Sequence, residues 1–168
     1  RMKGTIMESI VQAKRVLEIF KEMSQIPRES GNEKGISDYI VNFAKNLGLE
    51  VHQDDQYNVV IKKPASPGYE NRPSIILQGH IDMVCVRDHD SNHDFTKDPI
   101  ANIIEGEWMH ADHTTLGADN GMGGAMMLAI LEDDSQQHGP MQLLFTTNEE
   151  TGMDGAFAIK EGQVSGDY

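Results

Sequence analysis

Hydrophobic residues recur at helical spacing in two segments near the start of the chain. In residues 8–24 they fall three or four positions apart, which predicts an amphipathic helix with one buried face. The second segment begins after Asn32, a candidate N-cap, and ends before Gly48, a residue type that commonly closes a helix in the left-handed conformation. The predicted buried positions are Ile10, Ala13, Val16, Leu17 and Phe20 in the first helix and Ile36, Tyr39, Ile40, Phe43, Ala44 and Leu47 in the second.

Shorter apolar or alternating runs predict strands in the rest of the chain. Four runs are long enough, at 49–53, 58–62, 74–78 and 141–146, with a further short strand expected near Trp108. The last two of the four are apolar at their centres, which is typical of buried strands. A helix is predicted to start near Asn120 and a short one at 155–160. The inward residues of the Asn120 helix should be Met122, Ala125, Met126, Ala129 and Ile130.

Helices that alternate with apolar strands predict an α/β fold, in which helices and a sheet form layers around one core. A chain of 168 residues is a usual size for one domain, and no internal domain boundary is visible. The sequence shows no 20-residue apolar span and no signal-peptide pattern. Its one cysteine, Cys85, excludes an intrachain disulfide and fits a reducing compartment, so we expect a cytoplasmic protein.

The distribution of charge says more about possible binding partners than the overall composition does. The net charge is −13, and residues 98–159 carry eleven acidic side chains and no Lys or Arg. The negative electrostatic potential of this segment repels nucleic acid and anionic membranes, so neither is an expected partner. It attracts cations, divalent metals included, although an acidic excess is more commonly just a solvated surface.

Polar clusters stand next to three of the predicted elements. His80 and Asp82 follow the third predicted strand, and Glu149 and Glu150 follow the fourth. Asp119 lies in a glycine-rich loop that leads into the helix near Asn120. Because ligands of α/β sheets bind beyond the carboxyl ends of the strands, we expect these clusters to converge on one site.

Each cluster also has a purely structural interpretation. Asp82 could orient His80 as a carboxylate orients a metal-bound imidazole, or both side chains could cap a turn. Asp119 could bridge two cations or cap the following helix. Of Glu149 and Glu150, one could bind a metal while the other acts as a base, but a Glu-Glu pair is also common as a solvated turn. Taken singly, the clusters favour the structural interpretations.

Five stretches taken together resemble the dizinc exopeptidases, the family of aminoacylases, tripeptidases and carboxypeptidase G-type enzymes. Within it the match is to the bacterial Xaa-His (aminoacyl-histidine) dipeptidases. The stretches are IPRESG at 26–31, LQGHIDMVC at 77–85, HDF and DPI within 93–100, TTLGADNG at 114–121 and EETGM at 149–153. Their order and spacing match over essentially the whole chain.

The resemblance implies a role for each candidate residue. His80 would ligate one metal, Asp82 would orient the His80 ring, and Asp119 would bridge two metals. Glu149 would be the general base, and Glu150 would ligate the second metal. The implied cofactor is a pair of Zn²⁺ ions, with Mn²⁺ or Co²⁺ as substitutes. The implied substrate is a dipeptide, with histidine favoured at its C-terminal position.

The resemblance is to the first part of a catalytic domain. Residues 1–168 would be its N-terminal part, without the inserted dimerisation domain and the C-terminal half, which carry a further aspartate and a late histidine ligand. His113 stands where these enzymes usually have glycine, and is either an extra weak ligand or a loop histidine. We expect a metallodipeptidase and a homodimer for the whole protein, but no activity from this chain alone. The alternatives are a truncated, non-catalytic metal-binding fragment and a related N-acyl amino acid hydrolase.

Overall fold

The computed structural model describes the backbone of residues 2–168 and the side chains of residues 13–168. Four helices and six strands occur in these residues. In chain order they are α1 (Met2–Ser24), α2 (Lys34–Asn46), β1 (Glu50–Gln53), β2 (Val59–Lys63), β3 (Ile75–His80), β4 (Asn102–Glu105), β5 (Trp108–Ala111), α3 (Ala118–Glu132), β6 (Met141–Thr146) and α4 (Asp154–Ala158). The predicted α/β class is confirmed.

Four strands form a mixed sheet in the order β1-β2-β6-β3. β2 runs antiparallel to both β1 and β6, whereas β3 runs parallel to β6. In this parallel pair Gly79 lies opposite Phe145, and His80 lies opposite Thr146. The carboxyl ends of β3 and β6 therefore lie side by side. The segments that follow the two strands leave the sheet next to each other, beyond these ends.

The core lies between one face of the sheet and helices α1, α2 and α3. Alternate residues of β2 and β6 point into it, as the two-residue period of a strand requires. The fully buried members are Ile19, Phe20, Met23, Ile36, Ile40, Ala44, Val59, Ile61, Ile81, Ala125, Leu128, Leu143 and Phe145. The other face of the sheet meets the chain that follows α4, where the Gln142 amide donates to the Ser165 carbonyl at 2.7 Å.

The predicted helix face is right for α2 except at Leu47, which is 41% exposed, and the predicted faces are partly wrong for α1 and α3. In α1 the buried stripe is Ile19, Phe20 and Met23, whereas Ala13 and Leu17 are exposed. Ile10 lies outside the residues whose side chains are described. In α3 the predicted inward residues Met126 and Ile130 are exposed, and Met127, Leu128 and Leu131 are buried in their place. Because α3 is apolar almost all round, its sequence period does not single out one face.

Several predicted boundaries also change. Glu33, and not Asn32, precedes α2, and its side chain makes no capping hydrogen bond. Gly48 has a φ of 71°, as predicted for a residue that closes a helix. β3 was predicted to be a buried strand, but it lies at the edge of the sheet and only Gly79 and His80 are buried in it. β4, which pairs with β5, was not predicted. Among the described residues, no helix is both long and apolar enough to cross a membrane.

Candidate metal centre

The carboxyl ends of β3 and β6 bring the three predicted clusters together. His80 is the last residue of β3, Glu149 and Glu150 lie just beyond β6, and Asp119 lies in the first turn of α3. One potential ligand atom each from His80, Asp119 and Glu150 lies within 4.8 Å of the other two. Glu149 borders this group, with its Oε2 atom 3.9 Å from His80 Nε2. The predicted convergence is therefore present in the structure.

The histidine ring is held by the residue predicted to orient it. Nδ1 of His80 lies 3.2 Å from the backbone carbonyl oxygen of Asp82 and 3.3 Å from its Oδ1 atom. Because both oxygens only accept hydrogen bonds, these contacts favour the tautomer with its proton on Nδ1. The other ring nitrogen, Nε2, lies 3.2 Å from Asp119 Oδ1. Burial works to lower the pKa of His80, but the contacts with Asp82, Asp119 and Glu149 outweigh it and raise the pKa.

Asp82 is fully buried and accepts hydrogen bonds from several donors. The Ser30 hydroxyl donates to Oδ2 at 2.7 Å, and the backbone N–H groups of Glu149 and Glu150 each donate at 3.2 Å. Burial alone would raise the pKa of this carboxyl, but the hydrogen bonds from His80, Ser30 and the two N–H groups lower it to about 2. One charged carboxylate thus fixes both the histidine and the backbone that carries the two glutamates.

Asp119 does not cap the following helix. The N-cap of α3 is Gly117, with a φ of 71° and no side-chain capping bond, which contradicts the capping interpretation. Asp119 itself has non-helical angles (φ −88°, ψ 113°), and its peptide bond to Asn120 is cis. Its side chain is 88% exposed and faces His80, so it is available to a ligand.

The donor set fits a divalent cation. An imidazole and two carboxylates are the ligand types that zinc, manganese and cobalt take in proteins. Among the described side chains, no Lys or Arg forms an ion pair with Asp119, Glu149 or Glu150. Carboxylates gathered in this way repel one another unless a cation neutralises them.

Arg28 lies beneath the site and was not predicted to contribute to it. Its guanidinium is buried and donates to the carbonyl oxygens of Ile81 at 3.3 Å and Gly117 at 2.6 Å. It therefore ties the end of β3 to the loop that precedes Asp119. A Cβ atom on Gly117 or Gly121 would lie 2.5 Å from the guanidinium, so glycine provides the room. Burial lowers the pKa of Arg28 to about 10.

His113 and the single cysteine both lie outside the site. The His113 Nδ1 atom contacts Asp88 Oδ2 at 2.8 Å in an exposed loop, which is the loop-histidine alternative. Cys85 is half-buried and its thiol donates to the Met83 carbonyl. Burial raises the pKa of this thiol to about 11, which fits a structural cysteine.

Comparisons with known proteins agree with the geometry. Residues 76–167, more than half of the chain, match the profile of peptidase family M20/M25/M40. The chain is 47% identical over 150 residues to the cytosol non-specific dipeptidase of Escherichia coli K12, covering 89% of this chain and 31% of that protein.

Solved structures with the same fold include two peptidases. The aminoacylhistidine dipeptidase of Vibrio alginolyticus superposes with a TM-score of 0.88 at 46% identity, covering 91% of this chain and 31% of that one. A tripeptidase from Staphylococcus aureus superposes with a TM-score of 0.77 at 27% identity, covering 92% of this chain and 42% of that one. The chain thus spans about a third of the length of the two dipeptidases.

Proposed function

This chain belongs to peptidase family M20/M25/M40, and on that premise we propose that the whole protein is a metal-dependent dipeptidase. The observation that carries the proposal is the convergence of His80, Asp119 and Glu150 within 4.8 Å, beside Glu149. An imidazole and carboxylates in one place form a site for cations, and a further carboxylate at its border can move a proton. Peptide hydrolysis needs both elements.

We assign the metal ligands to His80, Asp119 and Glu150, with Asp119 as the bridge between two Zn²⁺ ions. Mn²⁺ or Co²⁺ could replace zinc at such ligands. When bound, the metal supplies a Lewis acid for the substrate carbonyl and a water of lowered pKa. Asp82 keeps the His80 proton on Nδ1, so Nε2 stays available for the metal.

Glu149 is the proposed general base. Its carboxylate lies beside the ligand group but outside it, and its side chain is 40% exposed, so water and substrate can reach it. In the reaction Glu149 takes a proton from the attacking water as the new C–O bond forms. It then gives that proton to the amide nitrogen as the C–N bond breaks, which releases a neutral amine.

The proposed substrate is a dipeptide, with histidine favoured at the C-terminal position. Support comes from the relatives, one of which is named an aminoacylhistidine dipeptidase and another a cytosol non-specific dipeptidase. The latter name also supports a cytoplasmic location, and a homodimer remains part of the proposal. A related N-acyl amino acid hydrolase is the alternative within the same chemistry.

The ligand count suggests what this chain can do by itself. A zinc ion takes about four ligands including water, and two ions take more than three side chains supply. We therefore propose that His80, Asp119 and Glu150 bind metal without supporting useful turnover in the 168-residue chain. This is the observation that favours a non-catalytic metal-binding fragment as the second candidate. Robust zinc-dependent cleavage of a Xaa-His dipeptide by the isolated chain would contradict it.

The test, made in the whole protein, distinguishes the proposed role of Glu149 as base from that of Glu150 as metal ligand. Glu149→Gln keeps the shape of the side chain but cannot accept the proton, so metal content should persist while turnover falls by about 100- to 10,000-fold. Glu150→Gln removes a charged ligand oxygen and should lower metal content. The measurement is metal content beside turnover of matched dipeptides with and without C-terminal histidine. Loss of metal in Glu149→Gln with full metal and activity in Glu150→Gln would reverse the two assignments.

A further inference from the structure

The segment after β6 offers four consecutive backbone N–H groups to buried side-chain oxygens. We call residues 147–155, which carry both glutamates, the Glu149 loop. The pairs are Thr147 N to Asn58 Oδ1 at 3.1 Å, Asn148 N to Glu33 Oε1 at 3.0 Å, Glu149 N to Asp82 Oδ1 at 3.2 Å and Glu150 N to Asp82 Oδ2 at 3.2 Å. The three acceptor residues come from three separate parts of the fold, so the loop is fixed from three directions.

The acceptors before α2 and β2 are as buried as core residues. Glu33 is only 3% exposed and Asn58 only 1%. Asn58 also donates to the Gly155 carbonyl at 2.9 Å, so it contacts both ends of the Glu149 loop. A Cβ on Gly155 would lie 2.7 Å from Asn58 Oδ1, which shows how closely the two segments approach.

Glu33 is unusual because its buried carboxyl group accepts a hydrogen bond from a single backbone N–H group, that of Asn148. Asn148, the residue that it holds, has a φ of 52°, a left-handed conformation that most residues avoid. The turn at Asn148 directs the next two residues toward His80. The Glu33 bond is thus placed where it can fix the direction of the chain just before Glu149.

We propose that Glu33 is a positioning residue for Glu149 and Glu150. Its carboxylate holds the Asn148 N–H group, and through it the turn that points both glutamates at the metal centre. The consequence for metal binding rests on the proposed function, whereas the consequence for the loop does not. Partners that orient metal ligands without touching the metal commonly change metal affinity by about 10- to 100-fold when lost.

The experiment compares three variants of the 168-residue chain. Glu33→Ala removes the acceptor, and Glu33→Gln keeps an oxygen that can accept the same N–H group. Ser37→Ala is the matched control, because Ser37 is a fully buried polar residue of α2 whose hydroxyl bonds the Tyr57 carbonyl at 2.7 Å and does not bond the Glu149 loop. Backbone amide hydrogen exchange is read residue by residue without metal, and Zn²⁺ affinity is then measured by calorimetry.

In Glu33→Ala the amides of Asn148, Glu149 and Glu150 should exchange at least about 10-fold faster than in the wild type, while those of Leu143 and Phe145 in β6 change much less. Zn²⁺ affinity should fall by about 10-fold or more. Glu33→Gln should restore most of the slow loop exchange and most of the Zn²⁺ affinity. In Ser37→Ala the ratio of loop to β6 exchange rates should equal that of the wild type.

Equal amide exchange rates in the Glu149 loop of the wild type and of Glu33→Ala would overturn the proposal. So would a parallel change across the loop and β6, which would mark a general loss of stability, or a failure of Glu33→Gln to restore the loop. If the loop responds as expected but no variant, wild type included, binds Zn²⁺, the positioning role stands and the metal assignment of the proposed function fails.

Discussion

The candidate metal centre and residues 86–113 are both rich in acidic side chains and histidine, yet their surroundings differ. At the metal centre Asp82 is fully buried and accepts hydrogen bonds from backbone, hydroxyl and imidazole donors. In residues 86–113 Asp88 and His113 pair with each other on an exposed loop. Acidic composition therefore does not define the site. What distinguishes the candidate metal centre is that buried side chains hold its histidine and the backbone that carries Glu149 and Glu150.

The buried supports lie far in sequence from the groups that they hold. Arg28 holds the carbonyls of Ile81 and Gly117, and Glu33 and Asn58 hold the Glu149 loop. By contrast, the ion pairs of residues 86–113 join exposed side chains and are worth little to stability. Perturbing each region in turn tests this difference.

The largest effect should come from Arg28→Met. The change leaves the buried carbonyl of Ile81 and the half-buried carbonyl of Gly117 without their donor, and we expect a loss of about 3 kcal/mol in the free energy of unfolding. Urea unfolding of the metal-free chain measures it. Arg87→Met, in the exposed region, is the control and should stay within about 0.5 kcal/mol of the wild type. A loss below about 1 kcal/mol for Arg28→Met would show that the guanidinium does not support the site.

A smaller effect should appear in acid. Folding lowers the pKa of Asp82 from its ordinary 3.8 to about 2. Between these values the unfolded chain binds more protons than the folded one, so the contribution of Asp82 is complete above about pH 4 and disappears as the pH falls through about 2. It amounts to about 2 kcal/mol.

Asp82→Asn should therefore flatten the acid side of the stability curve, measured by urea unfolding from pH 5 to pH 2 with a chelator present. Asp94→Asn is the comparison from the exposed region. Its pKa is also lowered, by bonds from Thr96 and Lys97, but it is solvated, so its removal should change the curve less. An Asp94→Asn curve as flat as that of Asp82→Asn would remove the distinction between the two regions.

The smallest effect concerns His113. The hydrogen bond with Asp88, helped by the charge of Asp112, raises the pKa of His113. Asp88→Asn should lower that pKa in an NMR titration and leave the urea midpoint of unfolding close to that of the wild type. A clearly lower midpoint would mean that the loop contributes more to folding than its exposure indicates.

The sequence predicted best where local signals were strong. The bounds of β6 were predicted as Met141–Thr146 because an apolar run is followed directly by polar residues. The inward face of α3 was partly wrong because a helix that is apolar on most sides gives no contrast, and Met126 points outward. The convergence of His80, Asp119 and Glu150 followed from strand ends and from the family resemblance.

The supports of the site could not be predicted in the same way. Arg28 and Glu33 lie between two helices, where charged residues are usually solvated, and nothing in the sequence period marks them as buried. Arg28 does fall within the stretch 26–31 that resembles the dizinc exopeptidases, but resemblance alone gave it no role. Burial of such residues depends on acceptors and donors 50 to 120 positions away, such as Asn148, which only the folded chain brings near.

The most direct test of the metal centre is calorimetric titration of the 168-residue chain with Zn²⁺, comparing wild type, His80→Ala and His113→Ala. On the proposed assignment we expect the wild type to bind zinc and His80→Ala to bind it about 100-fold more weakly, because a ligand is lost and not only its support. His113→Ala should bind within about twofold of the wild type, since its ring lies with Asp88 and outside the ligand group. Equal binding by His80→Ala and wild type, or loss of binding in His113→Ala alone, would contradict the assignment.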